Sequence, residues 1–65
     1  MQKINDIKNL LAALETDCIK FYERGNHAAG TRIRKGMQDL KKMANAVRIE
    51  IQEKKRADEP PQAQL

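Results

Sequence analysis

Residues 25–35 read Gly-Asn-His-Ala-Ala-Gly-Thr-Arg-Ile-Arg-Lys, and this stretch separates two segments whose apolar residues recur with helical spacing. Gly25 is the residue type that most readily adopts the left-handed conformation at the end of a helix. Asn26 is a residue type that caps the start of a helix through its side-chain oxygen. The stretch therefore predicts a tight turn between two helices.

Both flanking segments carry heptad stripes, in which apolar residues alternate in steps of three and four. The segment before the turn is predicted to be helical over about residues 2–24, with the stripe Ile4, Ile7, Leu11, Leu14, Cys18 and Phe21. The segment after the turn is predicted to be helical over about 27–56, with the stripe Ile33, Met37, Leu40, Ala44, Val47 and Ile51. Such stripes are typical of helices that pack side by side, so we expect the two stripes to face each other.

A short turn at 25–26 between two such helices predicts an all-α fold, an antiparallel two-helix hairpin that occupies residues 1–56. The remaining residues, 57–65, are polar apart from a few positions and contain Pro60-Pro61. We expect this tail to be disordered, because it has too little apolar surface to bury.

A hairpin of this size is expected to associate with itself. Chains this short bury a small share of their surface and commonly need a disulfide, a metal or a partner chain. Cys18 is the single cysteine, so no disulfide can form within one chain. Four large apolar residues also fall outside the heptad stripes: Leu10, Ile19, Met43 and Ile49. We therefore favour a homodimer in which two hairpins form a four-helix bundle.

Positive charge is concentrated around the turn. Residues 20–42 hold seven basic and two acidic side chains, a net charge of +5, whereas the other residues hold six basic and seven acidic, a net charge of −1. A local basic field of this kind favours a polyanionic partner, above all a nucleic acid. The candidate DNA-binding residues are the basic residues and the histidine of this region: Lys20, Arg24, His27, Arg32, Arg34, Lys35, Lys41 and Lys42.

The second segment strengthens this interpretation without settling it. Basic residues recur at seven-residue intervals as one row: Arg34, Lys41, Arg48 and Lys55. A solvated helix face explains such a row as well as phosphate binding does. The start of a helix adds backbone N–H groups and a positive dipole end, which attract anions.

Other kinds of chemistry find little support. His27 is the only histidine and no Cys, His, Asp and Glu cluster has the spacing of a metal site, so we expect no metal and no other cofactor. The chain has no Ser and no glycine-rich phosphate loop, and Cys18 occupies a core position, so we expect neither enzymatic activity nor a small-molecule substrate. No apolar run approaches the ~20 residues of a membrane span, which favours a soluble cytoplasmic protein that does not bind membranes.

Residues 23–35 resemble the signature of bacterial linker-histone-like nucleoid proteins, a pattern close to x-x-G-N-K-A-A-G-x-R-x-R-K. The resemblance extends over most of residues 3–56 and implies DNA binding and chromosome compaction in the bacterial nucleoid. Arg24, Arg32, Arg34 and Lys35 match basic positions of the pattern, whereas His27 stands where the pattern has Lys. Strongly condensing members carry a long Lys/Ala/Pro-rich arm, but residues 57–65 here contain no basic residue.

The sequence therefore predicts a small histone-like protein that binds the DNA phosphate backbone without sequence preference and organises the nucleoid. Only Phe21 and Tyr22 are aromatic, which argues against base stacking and favours contacts to phosphate. Two alternatives stay open: a structural or adaptor coiled coil that binds another protein, and a hairpin bundle that binds RNA. The basic cluster argues against the first, while nothing in the sequence separates RNA from DNA.

Overall fold

A computed structural model describes residues 1–58 of the chain. These residues form two helices, α1 (Gln2–Arg24) and α2 (His27–Asp58), and contain no strand. The prediction of an all-α two-helix hairpin is confirmed. α2 includes Ala57 and Asp58, which the sequence analysis assigned to the tail, because Lys54 pairs with Asp58 one turn later (Nζ–Oδ2 3.1 Å) and the first Pro comes only at 60. The disorder predicted for the rest of the tail lies outside the described residues.

The turn is built as its sequence suggests. Gly25 has φ 66° and ψ 26°, the left-handed conformation that ends α1. The backbone N–H groups of Gly25 and Asn26 donate to the carbonyls of Phe21 (3.1 Å) and Lys20 (3.0 Å), which satisfies the end of α1. The Asn26 side-chain oxygen accepts from the backbone N–H of Ala29 at 3.1 Å and so caps α2.

The two helices run antiparallel along the length of α1. Near the turn, the Asp17 carboxylate pairs with the Arg32 guanidinium at 2.9 Å. Near the open end, Lys3 Nζ lies 3.0 Å from the Glu50 carboxylate. α2 has 32 residues and α1 has 23, so the last two turns of α2 extend past the start of α1.

Two glycines of α2 bring the helices into close contact. A Cβ on Gly36 would lie 2.9 Å from Leu14 Cδ1 and closer still to Cδ2, so the Leu14 side chain fills the space over this glycine. A Cβ on Gly30 would lie 2.7 Å from the ring of Phe21. Leu14 (5% exposed) and Ala29 (0%) are the buried apolar side chains among residues 1–58. The core of a single hairpin is therefore very small.

The stripes that face each other differ from the predicted ones. On α2 the buried or half-buried positions are Ala29, Gly30, Ile33, Gly36, Leu40, Met43, Ala46 and Val47. On α1 the apolar ones are Ile7, Leu10, Leu14, Cys18 and Phe21. The prediction was wrong for Leu11 and Met37, which are 45% and 46% exposed, and for Ala44, Ile4 and Ile51, which are also exposed. The reason is Gly36: the missing side chain lets Leu14 approach, so the column of Ala29, Gly36 and Met43 faces α1 in place of the column of Met37 and Ala44.

The hairpin has two different sides, one with ion pairs between the helices and one with exposed apolar residues. The ion pairs Lys3–Glu50 and Asp17–Arg32 join the helices along one side, called here the ion-pair side. With 3.6 residues per turn, five of the exposed large apolar residues fall on the opposite side, whereas Ile19 and Ile49 lie on the outer surfaces of their helices. This apolar side carries Ile4, Leu11, Tyr22, Met37 and Ile51.

Candidate nucleic-acid interface

The structure divides the eight candidate residues between two surfaces. Helical spacing places five of them on the surface of α2 that points away from α1: His27, Arg34, Lys35, Lys41 and Lys42. The other three, Lys20, Arg24 and Arg32, belong to the ion-pair side. The cluster that appears continuous in the sequence is therefore split in the fold.

Arg32 already has an acidic partner. Its guanidinium contacts Asp17 Oδ1 through Nη2 at 2.9 Å and through Nε at 3.0 Å. The Asp17 side chain is 16% exposed and that of Arg32 is 50% exposed, so the pair lies half in solvent. Arg32 could contact a phosphate only by sharing or giving up this carboxylate.

The N-terminus of α2 is also partly used within the fold. The Asn26 side chain occupies the N–H of Ala29, and the backbone N–H of Asn26 itself donates to the Lys20 carbonyl at 3.0 Å. Two of the four backbone N–H groups at the start of α2 are therefore already bonded within the fold. His27, in the first turn, is exposed on the outer surface of α2.

The outer surface of α2 carries three parallel columns of polar side chains with seven-residue spacing, all exposed. The first basic column consists of Arg34, Lys41, Arg48 and Lys55. Next to it runs an amide column of Gln38, Asn45 and Gln52. On the other flank of the amides lies the second basic column of Lys35, Lys42 and Arg56, interrupted by Ile49. Heptad geometry makes these three columns neighbours on the helix surface, with the amides in the middle.

The three columns themselves contain no carboxylate, although Glu53 borders the same depression as Asn45, Arg48 and Arg56. The acids Asp39 and Glu53 fall beyond the second basic column, toward the ion-pair side, and Glu50 pairs with Lys3. The ion pairs found in residues 1–58 join Lys3 to Glu50, Arg32 to Asp17 and Lys54 to Asp58, so the cations of both columns remain unpaired within these residues. The side chains also leave room for a ligand, since Lys41, Lys42 and Arg48 border an open depression of about 510 Å³.

The candidate residues predicted from the sequence cover only part of this surface. They were restricted to 20–42, which left out Arg48, Lys55 and Arg56, although the row through Arg48 and Lys55 was recognised. No role was predicted for Gln38, Asn45 and Gln52. Their seven-residue spacing was the available signal, because it is the same spacing as that of the neighbouring cations.

No group of three or more His, Cys, Asp and Glu residues in the part of the chain that the structure describes could hold a metal ion. Within residues 1–58, neither helix is long and apolar enough to cross a membrane.

The family model described as Hc1, histone H1-like protein Hc1, matches residues 1–57. No curated protein and no solved structure shows significant similarity to the chain. The family match spans both helices and the turn that joins them.

Proposed function

Because this chain belongs to the family of histone H1-like protein Hc1, we propose that it binds DNA and helps to organise the bacterial nucleoid. The observation that carries the proposal is the basic surface of α2, whose two basic columns hold cations with no acidic partner within residues 1–58. Such cations release counterions from DNA when they contact phosphates, and this release supplies most of the affinity of non-specific binding.

The contacts are to the phosphate backbone and carry no direct sequence information. His27, Arg34, Lys35, Lys41 and Lys42 contribute from the outer surface of α2. Lys20, Arg24 and Arg32 lie on the ion-pair side and act as a second, weaker contact to DNA that passes the turn. We assign no catalytic role, cofactor or small-molecule substrate to the chain, and we place its action in the cytoplasm, on the nucleoid.

A second copy of the chain is proposed to cover the apolar side. Leu11, Met37 and Tyr22 are 45%, 46% and 77% exposed on a hairpin whose buried apolar side chains are Leu14 and Ala29. Complete burial of such a side chain stabilises by about 1.5–3 kcal/mol, and a little under half of Leu11 and Met37 remains to be covered, so each contributes roughly half of that amount to a self-complementary contact. The resulting dimer carries two basic surfaces, and two surfaces on one particle can bridge separate DNA segments.

The proposal is tested by fluorescence anisotropy with labelled duplex DNA, single-stranded DNA and RNA over a series of salt concentrations. We expect log affinity for the duplex to fall linearly with log salt, with a slope of about −0.9 per phosphate neutralised. Duplexes of unrelated sequence should bind alike. Tighter binding to RNA than to duplex DNA would favour the RNA alternative. An absence of salt-dependent binding to any nucleic acid would leave the exposed apolar side as the main interaction surface, as in an adaptor protein.

A further inference from the structure

The amide column has no role in phosphate neutralisation, although it occupies the middle of the proposed DNA-binding surface. Gln38, Asn45 and Gln52 are exposed, and none of them hydrogen-bonds to another side chain within residues 1–58. A surface that only attracted phosphates would gain from cations at these positions. The amides are instead flanked on both sides by basic columns.

A column of amides between two basic columns is the arrangement that suits a helix lying in the major groove of DNA. Two phosphate strands border the groove, and the edges of the base pairs form its floor. The groove is about 12 Å wide, which matches an α-helix with its side chains, about 10–12 Å in diameter. We propose that α2 lies in the major groove of duplex DNA, with the amide column on the base edges and one basic column on each phosphate strand. The inference rests on the proposed DNA binding and specifies how the same surface engages its ligand.

The chemistry of the amides fits this position. Each Asn or Gln side chain has a donor and an acceptor, and every base pair presents at least one matching group in the major groove. The amides can therefore hydrogen-bond to whichever bases lie below them. This keeps sequence preference weak, in line with a protein that covers DNA generally.

The rest of the fold permits this approach. α1 packs against the opposite surface of α2, as the contact of Leu14 with Gly36 shows, so it stands away from the DNA. From Gln38 to Gln52 the amide column extends over about 21 Å, at 1.5 Å per residue. That length is shorter than one helical turn of B-DNA, about 34 Å along the duplex axis.

The experiment compares two duplexes of identical sequence and charge. In one, every cytosine is replaced by glucosylated 5-hydroxymethylcytosine, whose sugar fills the major groove and leaves the phosphates accessible. We expect the wild-type protein to bind the glucosylated duplex at least about tenfold more weakly at the same salt concentration. Equal affinity for the two duplexes would overturn groove binding. The proposed function would still stand if binding depended on salt, and it would fail with the inference only if the unmodified duplex were not bound.

A variant tests the amides themselves. Gln38→Ala/Asn45→Ala/Gln52→Ala should weaken binding to the unmodified duplex by about tenfold or more, because three hydrogen bonds of modest net strength are lost. The salt slope should not change, because no charge is removed. The matched control is Asn5→Ala/Asn9→Ala, which removes exposed amides from the outer surface of α1 and should bind as the wild type does. Circular dichroism verifies that the variants stay helical, as Ala favours helix. Wild-type affinity in the triple variant would contradict the inference.

Discussion

The side chain of Leu14 occupies the space in which a side chain at Gly36 would have to lie. A Cβ on Gly36 would come within 2.9 Å of Leu14 Cδ1 and 3.0 Å of Cγ, less than ordinary van der Waals contact. Leu14 is also the large apolar side chain that the fold buries best, at 5% exposed. This contact sets how closely α1 and α2 approach and which column of α2 faces inward.

Gly36→Ala should therefore destabilise the protein although Ala favours helix. The substitution gains about 1 kcal/mol of helix propensity, while crowding a packed site commonly costs about 1–3 kcal/mol. We expect a net loss of about 1 kcal/mol in the free energy of unfolding, measured by urea denaturation at one fixed protein concentration.

Leu14→Ala supplies the control for this effect. By itself it should cost about 2–5 kcal/mol, because it removes the main buried side chain. In that background the crowding is gone, so Gly36→Ala should become stabilising by about 1 kcal/mol. If Gly36→Ala changed the free energy of unfolding in the same direction in the wild type and in Leu14→Ala, the two residues would not interact as described.

Asn26 should be necessary for a stable start of α2. Its side-chain oxygen accepts the Ala29 N–H at 3.1 Å, so Asn26→Ala leaves that donor without its cap. We expect a loss of about 1 kcal/mol in the free energy of unfolding. Asn26→Asp keeps an acceptor at this position and should retain nearly all of the stability. Equal losses in the two variants would mean that the cap is unimportant.

Substitutions of the basic residues near the turn should weaken DNA binding to different extents, depending on whether the residue already has an acidic partner within the fold. Replacing Arg34 and Lys35 together by Ala should reduce the steepness of the salt dependence by about 1–2 units of the log–log slope. Arg32→Ala should change the slope less, because the Arg32 guanidinium is paired with Asp17. Anisotropy titrations over a salt series measure both values. A larger effect at Arg32 would place the binding surface on the ion-pair side.

Arg32→Ala should at the same time have a small effect on the fold. The pair with Asp17 is half exposed, and such pairs contribute up to about 1 kcal/mol. The Arg34/Lys35 variant should be as stable as the wild type, because both side chains are exposed on the outer surface of α2.

Self-association should depend on the apolar side. Sedimentation at micromolar concentration should show a species larger than the 7.5 kDa chain. Leu11→Gln/Met37→Gln should shift this species toward the monomer, because both residues are exposed on the apolar side. Ile49→Gln is the matched control: it removes an equally exposed apolar residue, 52% exposed, from the outer surface of α2. A wild-type protein that is monomeric and stably folded would contradict the dimer.

Cys18 should report on the same association. Its side chain is half-buried, and helical spacing puts it between the contact with α2 and the apolar side. We expect a thiol reagent to modify it more slowly as the protein concentration rises through the association range. Fast modification that is independent of concentration would mean that Cys18 lies outside the dimer contact. The double variant Leu11→Gln/Met37→Gln should abolish the concentration dependence.

The sequence by itself determined the elements of this fold. Gly25 and Asn26 specify the turn by local chemistry, since a left-handed residue ends α1 and a side-chain oxygen caps α2. The uninterrupted three- and four-residue spacing of apolar residues specifies two helices. The motif at 23–35 also led to the histone-like family, which the family match over residues 1–57 confirms. These features are local, so they can be recognised without knowing what packs against them.

Only the tertiary structure decided which stripe of each helix faces inward. Each helix carries two neighbouring apolar stripes, and hydrophobicity favours the one that contains Met37 over the one that contains Gly36. In the structure the stripe that contains Gly36 faces inward, because the Leu14 side chain packs into the space over this glycine and lets the helices approach closely. A glycine in the sequence does not reveal which side chain will fill the space above it. Because the stripe that contains Gly36 faces α1, Leu11 and Met37 are exposed and Arg32 lies beside Asp17. The same orientation of α2 puts the amide and basic columns together on its outer surface.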